Sequence, residues 1–207
     1  MIISKQHRFI FAAIPKTGTH SVRRALREHL GPDDLEQVKL FMDRQFPMPE
    51  LAKLGHGHIS LAQVRPVVGE DAFQSYFKFA FVRNPFDRFV SYCAFMTREN
   101  GAFERNSRAV MHYFLFQAPP LRHILFQPQH PFVCAATGEL LADKVGRVEE
   151  MQQSYDEICA KLGIPSTQLE KANASKRSDY GQYYDQQLID GVAKLYQRDL
   201  ELFGYQF

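Results

Sequence analysis

The 207-residue chain has no tryptophan, only three cysteines and no apolar run of membrane length. Cys93, Cys134 and Cys159 are odd in number, far apart and outside any C-x-x-C pair. That pattern excludes a disulfide framework or a thiolate zinc site and predicts buried thiols in a reducing compartment. No signal-peptide pattern precedes the first apolar segment, and nothing approaches the roughly 20 apolar residues of a spanning helix. The expectation is a cytoplasmic protein with no membrane span. An excess of one charge is also lacking: 25 Lys and Arg against 23 Asp and Glu leave a net charge of +2. This excludes a chain-wide nucleic-acid footprint, so an anionic ligand must be met by a local basic site. With no internal repeat and no low-complexity segment, the length suits a single domain over residues 1–207.

What is present begins at Phe9. Phe9 to Ile14 is a six-residue apolar run, short enough for a strand buried on both faces. Pro15 cannot donate to a sheet ladder, so the strand is expected to end there. The segment Pro15-Lys16-Thr17-Gly18-Thr19-His20-Ser21 then reads as a tight loop entering a helix. Val22, Ala25, Leu26 and Leu30 carry the helical spacing, Thr19 or Ser21 is the expected cap, and Gly31-Pro32 is the expected stop. Such a turn suits anion capture. Loop and first-turn N–H groups lack intrahelical partners, the helix dipole adds partial positive charge, and Lys16 adds a full one. An ordinary strand-to-helix turn with a solvated lysine is the plainer alternative. The loop is not a Walker A loop, which places Lys after the last Gly; here Lys16 precedes Gly18.

Two further stretches carry chemistry. In Gly55-His56-Gly57-His58 the histidines at i and i+2 share a side if the backbone is extended. A neutral imidazole there is a candidate general base if a substrate hydroxyl is near; a polar turn with two exposed histidines is the alternative. Phe77 to Val82 leads into Arg83-Asn84-Pro85, Asp87, Arg88 and Ser91. Phe79 to Val82 reads as a buried strand, Asn84 as a helix cap and Pro85 as the first helical residue. Arg83, Arg88 and Ser91 gather two guanidiniums and a hydroxyl at one helix start, suited to a phosphate. An Arg–Asp ion pair stitching strand to helix is the competing reading.

Pro15-Lys16-Thr17-Gly18-Thr19 resembles the 5′-phosphosulfate-binding loop of sulfotransferases that use 3′-phosphoadenosine 5′-phosphosulfate, and Arg83-Asn84-Pro85 with Arg88, Ser91 and Tyr92 resembles their 3′-phosphate motif. The resemblance runs from about residue 8 to residue 207 and is thin between Phe95 and Pro131. It implies an α/β, P-loop NTPase-like three-layer fold with a mainly parallel central sheet and flanking helices. It also implies transfer of a sulfuryl group to an acceptor hydroxyl, a carbohydrate first, with a peptide tyrosine or small metabolite as alternatives. Under it, residues 15–21 bind the donor, Lys16 assists the leaving phosphate oxygen, and Arg83 and Ser91 hold the 3′-phosphate. His56-Gly57-His58 is similar to the histidine pair of uronyl 2-O-sulfotransferases, which makes His58 the base and leaves His56 to position the acceptor. Lys176 and Arg177 are candidates for a basic loop closing over the nucleotide. His123, in the aromatic stretch after the second motif, is a candidate acceptor contact. The scheme requires no metal. A P-loop-type kinase or hydrolase, and a non-catalytic nucleotide-binding relative, are the alternatives; the displaced Lys16 argues against the first.

The rest is structural in expectation: a short helix over Leu61 to Val68 broken at Pro66 and Gly69, another helix over Ser107 to Gln117, and a hairpin turning at Thr137-Gly138. A strand near Lys144 to Arg147 precedes a helix to Leu162, and one amphipathic helix capped by Gly204 ends the chain. Val38 to Met42 reads equally as a short strand or a helix start.

Overall fold

A computed structural model describes residues 1–37, 49–170 and 179–207. Val38 to Met42, Lys176 and Arg177 lie outside the described residues. The chain divides into two compact units, one of residues 1–82 and 131–172, the other of residues 83–130 and 173–207.

The first unit holds a five-stranded sheet. Its elements are β1 (Ile2–Ser4), β2 (Phe9–Ala12), α1 (Thr19–Arg27), β3 (Leu35–Glu36), α2 (Pro49–Ala52), α3 (Leu61–Val68), α4 (Glu70–Ser75), β4 (Phe77–Val82) and, later in the chain, β5 (Lys144–Arg147) and α8 (Met151–Leu162). Strand order is β3-β1-β2-β4-β5. β4 runs parallel to both β2 and β5, whereas β1 is antiparallel to both β2 and β3. The sheet is therefore mixed, not mainly parallel. The antiparallel half comes from β1 and β3, three and two residues long, too short to show a period in the sequence. β2 and β4 are buried throughout except at Phe77; the buried Lys78 of β4 places its ammonium on Phe73 O, Tyr76 O and Asp143. Phe9, Phe11, Phe79 and Phe81 pack with Val22 and Leu26 of α1 and with Tyr155 and Ile158 of α8. Fully burying one such side chain contributes about 1.5–3 kcal/mol.

The helix after β2 differs from expectation at both ends. Gly18, not Thr19 or Ser21, is the N-cap, and the helix ends at Arg27, ahead of Gly31-Pro32. The turn past Arg27 tightens through His29 N–H to Leu26 O and Leu30 N–H to Arg27 O. α3 starts with a capping box between Ser60 and Gln63 and tolerates Pro66 inside it. The expected hairpin at Thr137-Gly138 shrinks to one bridge, Cys134 to Leu140, ahead of β5.

The second unit opens with α5 (Pro85–Met96), capped by Asn84 Oδ1 accepting from Phe86 N–H at 3.0 Å, with Pro85 at its first turn as predicted. α6 (Ala102–Arg105) and α7 (Ser107–His112) follow. The helix expected to Gln117 changes to a π turn over Tyr113–Gln117. The chain ends in this unit with α9 (Gln186–Leu195) and α10 (Gln197–Phe203), two helices where one was expected, parted at Tyr196. Tyr196 is buried and donates its hydroxyl to Phe126 O at 2.9 Å, so tertiary packing decides the break. Phe86, Phe89, Tyr92, Phe126, Leu188 and Val192 form this unit's core. All three cysteines are free and buried, as expected. Among the described residues no helix is long and apolar enough to cross a membrane.

Candidate active site

In the first unit the loop from β2 to α1 is tightly shaped. Lys16 has φ +66° and Gly18 φ +67°, both left-handed. Glycine adopts that region freely, but a lysine there costs about 1–2 kcal/mol, strain of a kind that clusters at functional sites. A Cβ at Gly18 would lie 2.5 Å from Met151 Cε, a side-chain tip that can shift, so it is the left-handed backbone that demands glycine. Thr17 is fully buried and donates its hydroxyl to Ile14 O at 3.0 Å. Its proton closes the loop, leaving its backbone N–H as what it can offer a ligand. No side chain caps α1. Pro15, Thr19 and Ser21 are buried and His20 is exposed. His20 Nδ1 lies 3.2 Å from Arg23 Nη2. A guanidinium only donates, so Nδ1 accepts. Partial desolvation of the ring, then the charges of Arg23 and Lys16, lower the His20 pKa and favour the neutral ring.

His58 meets this loop directly. Its Nδ1 is 2.7 Å from Ala13 O, one residue past β2. A carbonyl only accepts, so Nδ1 carries the hydrogen and, in the neutral ring, Nε2 is the acceptor. Desolvation is the main reason its pKa falls to about 3, well below the ordinary 6.5, despite the opposing hydrogen bond to Ala13. The His56 and His58 rings are 6.0 Å apart, in keeping with an extended i, i+2 pair. The segment is anchored by Met1 N donating to Gly57 O at 2.6 Å and by Gln37 Nε2 donating to His56 O at 2.6 Å. His56 Nδ1 is buried without a hydrogen-bond partner, and burial lowers its pKa too. The structure thus brings His58 onto the root of the Lys16 loop.

In the second unit, Arg83 Nε donates to Asp87 Oδ2 at 2.6 Å, with Nη2 on the same oxygen. The Arg–Asp pair of the competing reading is real. Ser91 lies on α5 at 4% exposure. Arg88 does not gather with Arg83 at the helix start but turns into the interior. It is 2% exposed, with Nη2 donating to Leu125 O at 3.3 Å and its guanidinium 5.9 Å from the centre of the Tyr196 ring. Burial lowers its pKa, and it supports the unit from within. His123 packs against the edge of Tyr92, ring centroids 5.9 Å apart, and both His123 Nδ1 and the Tyr92 hydroxyl are buried without a partner. Nothing in the sequence marks the Ala13 carbonyl as a histidine anchor, since any residue supplies a carbonyl. The i, i+4 spacing of Arg83 and Asp87 is a readable signal.

A model of the sulfotransferase family matches residues 1–206. The chain belongs to the sulfotransferase family. Carbohydrate sulfotransferase 14 of Homo sapiens is 30% identical over 91 residues, 44% of this chain and 22% of that protein. Its Mus musculus counterpart matches with the same identity and coverage. The matched stretch thus spans about a fifth of the curated relatives' length. No solved structure matches the chain at a significant level. The family match takes in both units, up to Gln206.

Proposed function

We propose that the protein transfers a sulfuryl group from 3′-phosphoadenosine 5′-phosphosulfate to a hydroxyl of an acceptor, a carbohydrate first, on a P-loop-like α/β scaffold. The observation that carries this reading is the hydrogen bond from His58 to Ala13, beside a loop whose lysine is held in a strained backbone conformation. An anionic donor suits the residues present, because α1 starts on a glycine with no capping side chain and Lys16 stands two residues before it. Residues 15–21 would hold the phosphosulfate, and Arg83 and Ser91 the 3′-phosphate. Lys176 and Arg177 remain part of the proposal as closing residues. The relative's name supports the carbohydrate acceptor.

The donor supplies an activated sulfuryl group. His58 Nε2 takes the proton of the acceptor hydroxyl, His56 and His123 orient the acceptor, and the Lys16 ammonium with the α1 N–H groups stabilises negative charge on the leaving phosphate. A sulfuryl group carries less charge than a phosphoryl group, so no metal is needed in this scheme. The test has two parts. Calorimetry without magnesium should find 3′-phosphoadenosine 5′-phosphate bound more tightly than AMP, since losing charge-assisted hydrogen bonds to a phosphate costs about 1.5–3 kcal/mol each. Incubation with sulfur-labelled donor and a cell extract should label a glycan fraction. Equal affinity for the two nucleotides would sink the reading.

A further inference from the structure

Gln129 lies far from both donor motifs in sequence, and no motif marks it. It is completely buried. Arg83 N–H donates to Gln129 Oε1 at 3.0 Å, and Gln129 Nε2 donates to Arg83 O at 2.9 Å. One side-chain amide therefore satisfies both polar groups of a single peptide residue, in the way a neighbouring strand would. The direction is fixed by chemistry, because an N–H can only donate and a carbonyl only accept. Gln129 is itself held. Its N–H donates to Asp199 Oδ2 at 2.6 Å, while His130 N–H and His130 Nδ1 both meet Asp199 Oδ1 at 2.8 Å. Asp199 is completely buried on α10. All of this lies within the second unit. A sequence of fixed groups thus runs from α10 through Gln129 to the backbone of Arg83, at the point where the chain leaves β4 and has not yet entered α5.

We infer that Gln129 is a positioning residue for the donor's 3′-phosphate, acting by clamping the Arg83 peptide so that the guanidinium is launched from a fixed point. This rests on the assignment of Arg83 to that phosphate. The clamp replaces ladder hydrogen bonds that end with β4, and without it the Arg83 backbone would have to be satisfied by water. A freely rotating launch point spreads the guanidinium over many positions and weakens a contact whose worth depends on geometry.

The test compares wild type with Gln129→Met, which keeps the volume and removes the amide, and with Gln129→Glu, which keeps an acceptor for Arg83 N–H but removes the donor to Arg83 O. Calorimetry reads the affinity for 3′-phosphoadenosine 5′-phosphate and for AMP. Gln129→Met is expected to lower the first at least tenfold and leave the second within twofold, with Gln129→Glu reducing the preference likewise. A merely structural role would weaken both nucleotides together or neither. If wild type prefers the 3′-phosphorylated nucleotide and Gln129→Met keeps that preference, the inference is overturned while the proposed function stands. If wild type shows no preference, it is the assignment of Arg83 that fails. Hydrogen exchange on wild type needs no variant to fold. The Arg83 amide should be protected before nucleotide is added, and an amide exchanging as fast as an open loop would remove the clamp.

Discussion

The Nδ1 of His58 stands 2.7 Å from the carbonyl oxygen of Ala13, and that contact ties the histidine to the strand end from which the Lys16 loop departs. It fixes the ring's tautomer and leaves Nε2 as the basic nitrogen. In the proposed reaction, His58→Ala should lower transfer by about 10²–10⁴. Affinity for 3′-phosphoadenosine 5′-phosphate should stay nearly intact, because the acceptor oxygen is the partner of Nε2. Transfer at the wild-type rate would move the base elsewhere, with His123 next in line.

The depressed His58 pKa has a signed consequence for stability. Above pH 6.5 the ring is neutral in both folded and unfolded chains and adds no pH dependence. Between 6.5 and about 3 the unfolded chain holds a proton that the fold does not. Stability should therefore fall as the pH drops through this window, by about 1.4 kcal/mol per pH unit for one such group. Urea unfolding of wild type and His58→Asn at about pH 7.5, 6 and 5 checks this. The variant's curve should be flatter by that amount, and parallel curves would contradict it. The same depression predicts a kcat/KM profile without an acid limb near 6.5, since that profile reports the free enzyme.

Lys16 can be divided into a charge and a backbone. Lys16→Ala and Lys16→Gly both remove the ammonium, and each should lower turnover by about 10²–10³ while weakening product binding far less. Only glycine accepts φ +66° without cost. Lys16→Gly should therefore be about 1 kcal/mol more stable than Lys16→Ala, measured by thermal or urea unfolding. Equal stabilities would mean that the loop is relaxed in solution.

Gly18→Ala meets two obstacles, the left-handed backbone and the Met151 methyl. The side-chain tip can move, but the backbone cannot change hand. A loss of about 1–2 kcal/mol is expected from conformation alone. Adding Met151→Ala should not restore it, and full rescue by that second change would assign the cost to crowding.

The parts legible in the sequence are those with a local cause. β2, β4 and α5 announce themselves through the apolar runs Phe9 to Ile14 and Phe79 to Val82 and through Asn84-Pro85, though β2 ends at Ala12 and β4 begins at Phe77, ahead of Lys78. The mixed sheet is hidden because β1 and β3 have too few residues for a pattern, and their pairing is decided across distance. The break at Tyr196 is hidden for a related reason, since the tyrosine is helix-compatible and is drawn aside by burial against Phe126. At the proposed site, Lys16, His58, Arg83 and Ser91 are candidates by residue type and spacing alone. Their restraints cannot be read that way, because Ala13 acts through its carbonyl and Gln129 through an amide 46 residues from its partner. Arg88 shows the converse: a residue inside a motif, read as a ligand contact, that is spent on the interior.

Ala13 and Lys16 are three residues apart, and a chain reaches at most about 3.3–3.6 Å per residue. The carbonyl that anchors the histidine and the backbone that carries the lysine are thus joined by a tether of roughly 10 Å at full stretch. In the proposed transfer, one group serves the incoming oxygen and the other the outgoing one, on opposite sides of the sulfur. The loop then behaves as a ruler, with its length written in peptide bonds and its shape held by Pro15 and the Thr17 hydroxyl. One residue inserted between Ala13 and Lys16 would leave every reactive group in place chemically and still put the two ends out of step.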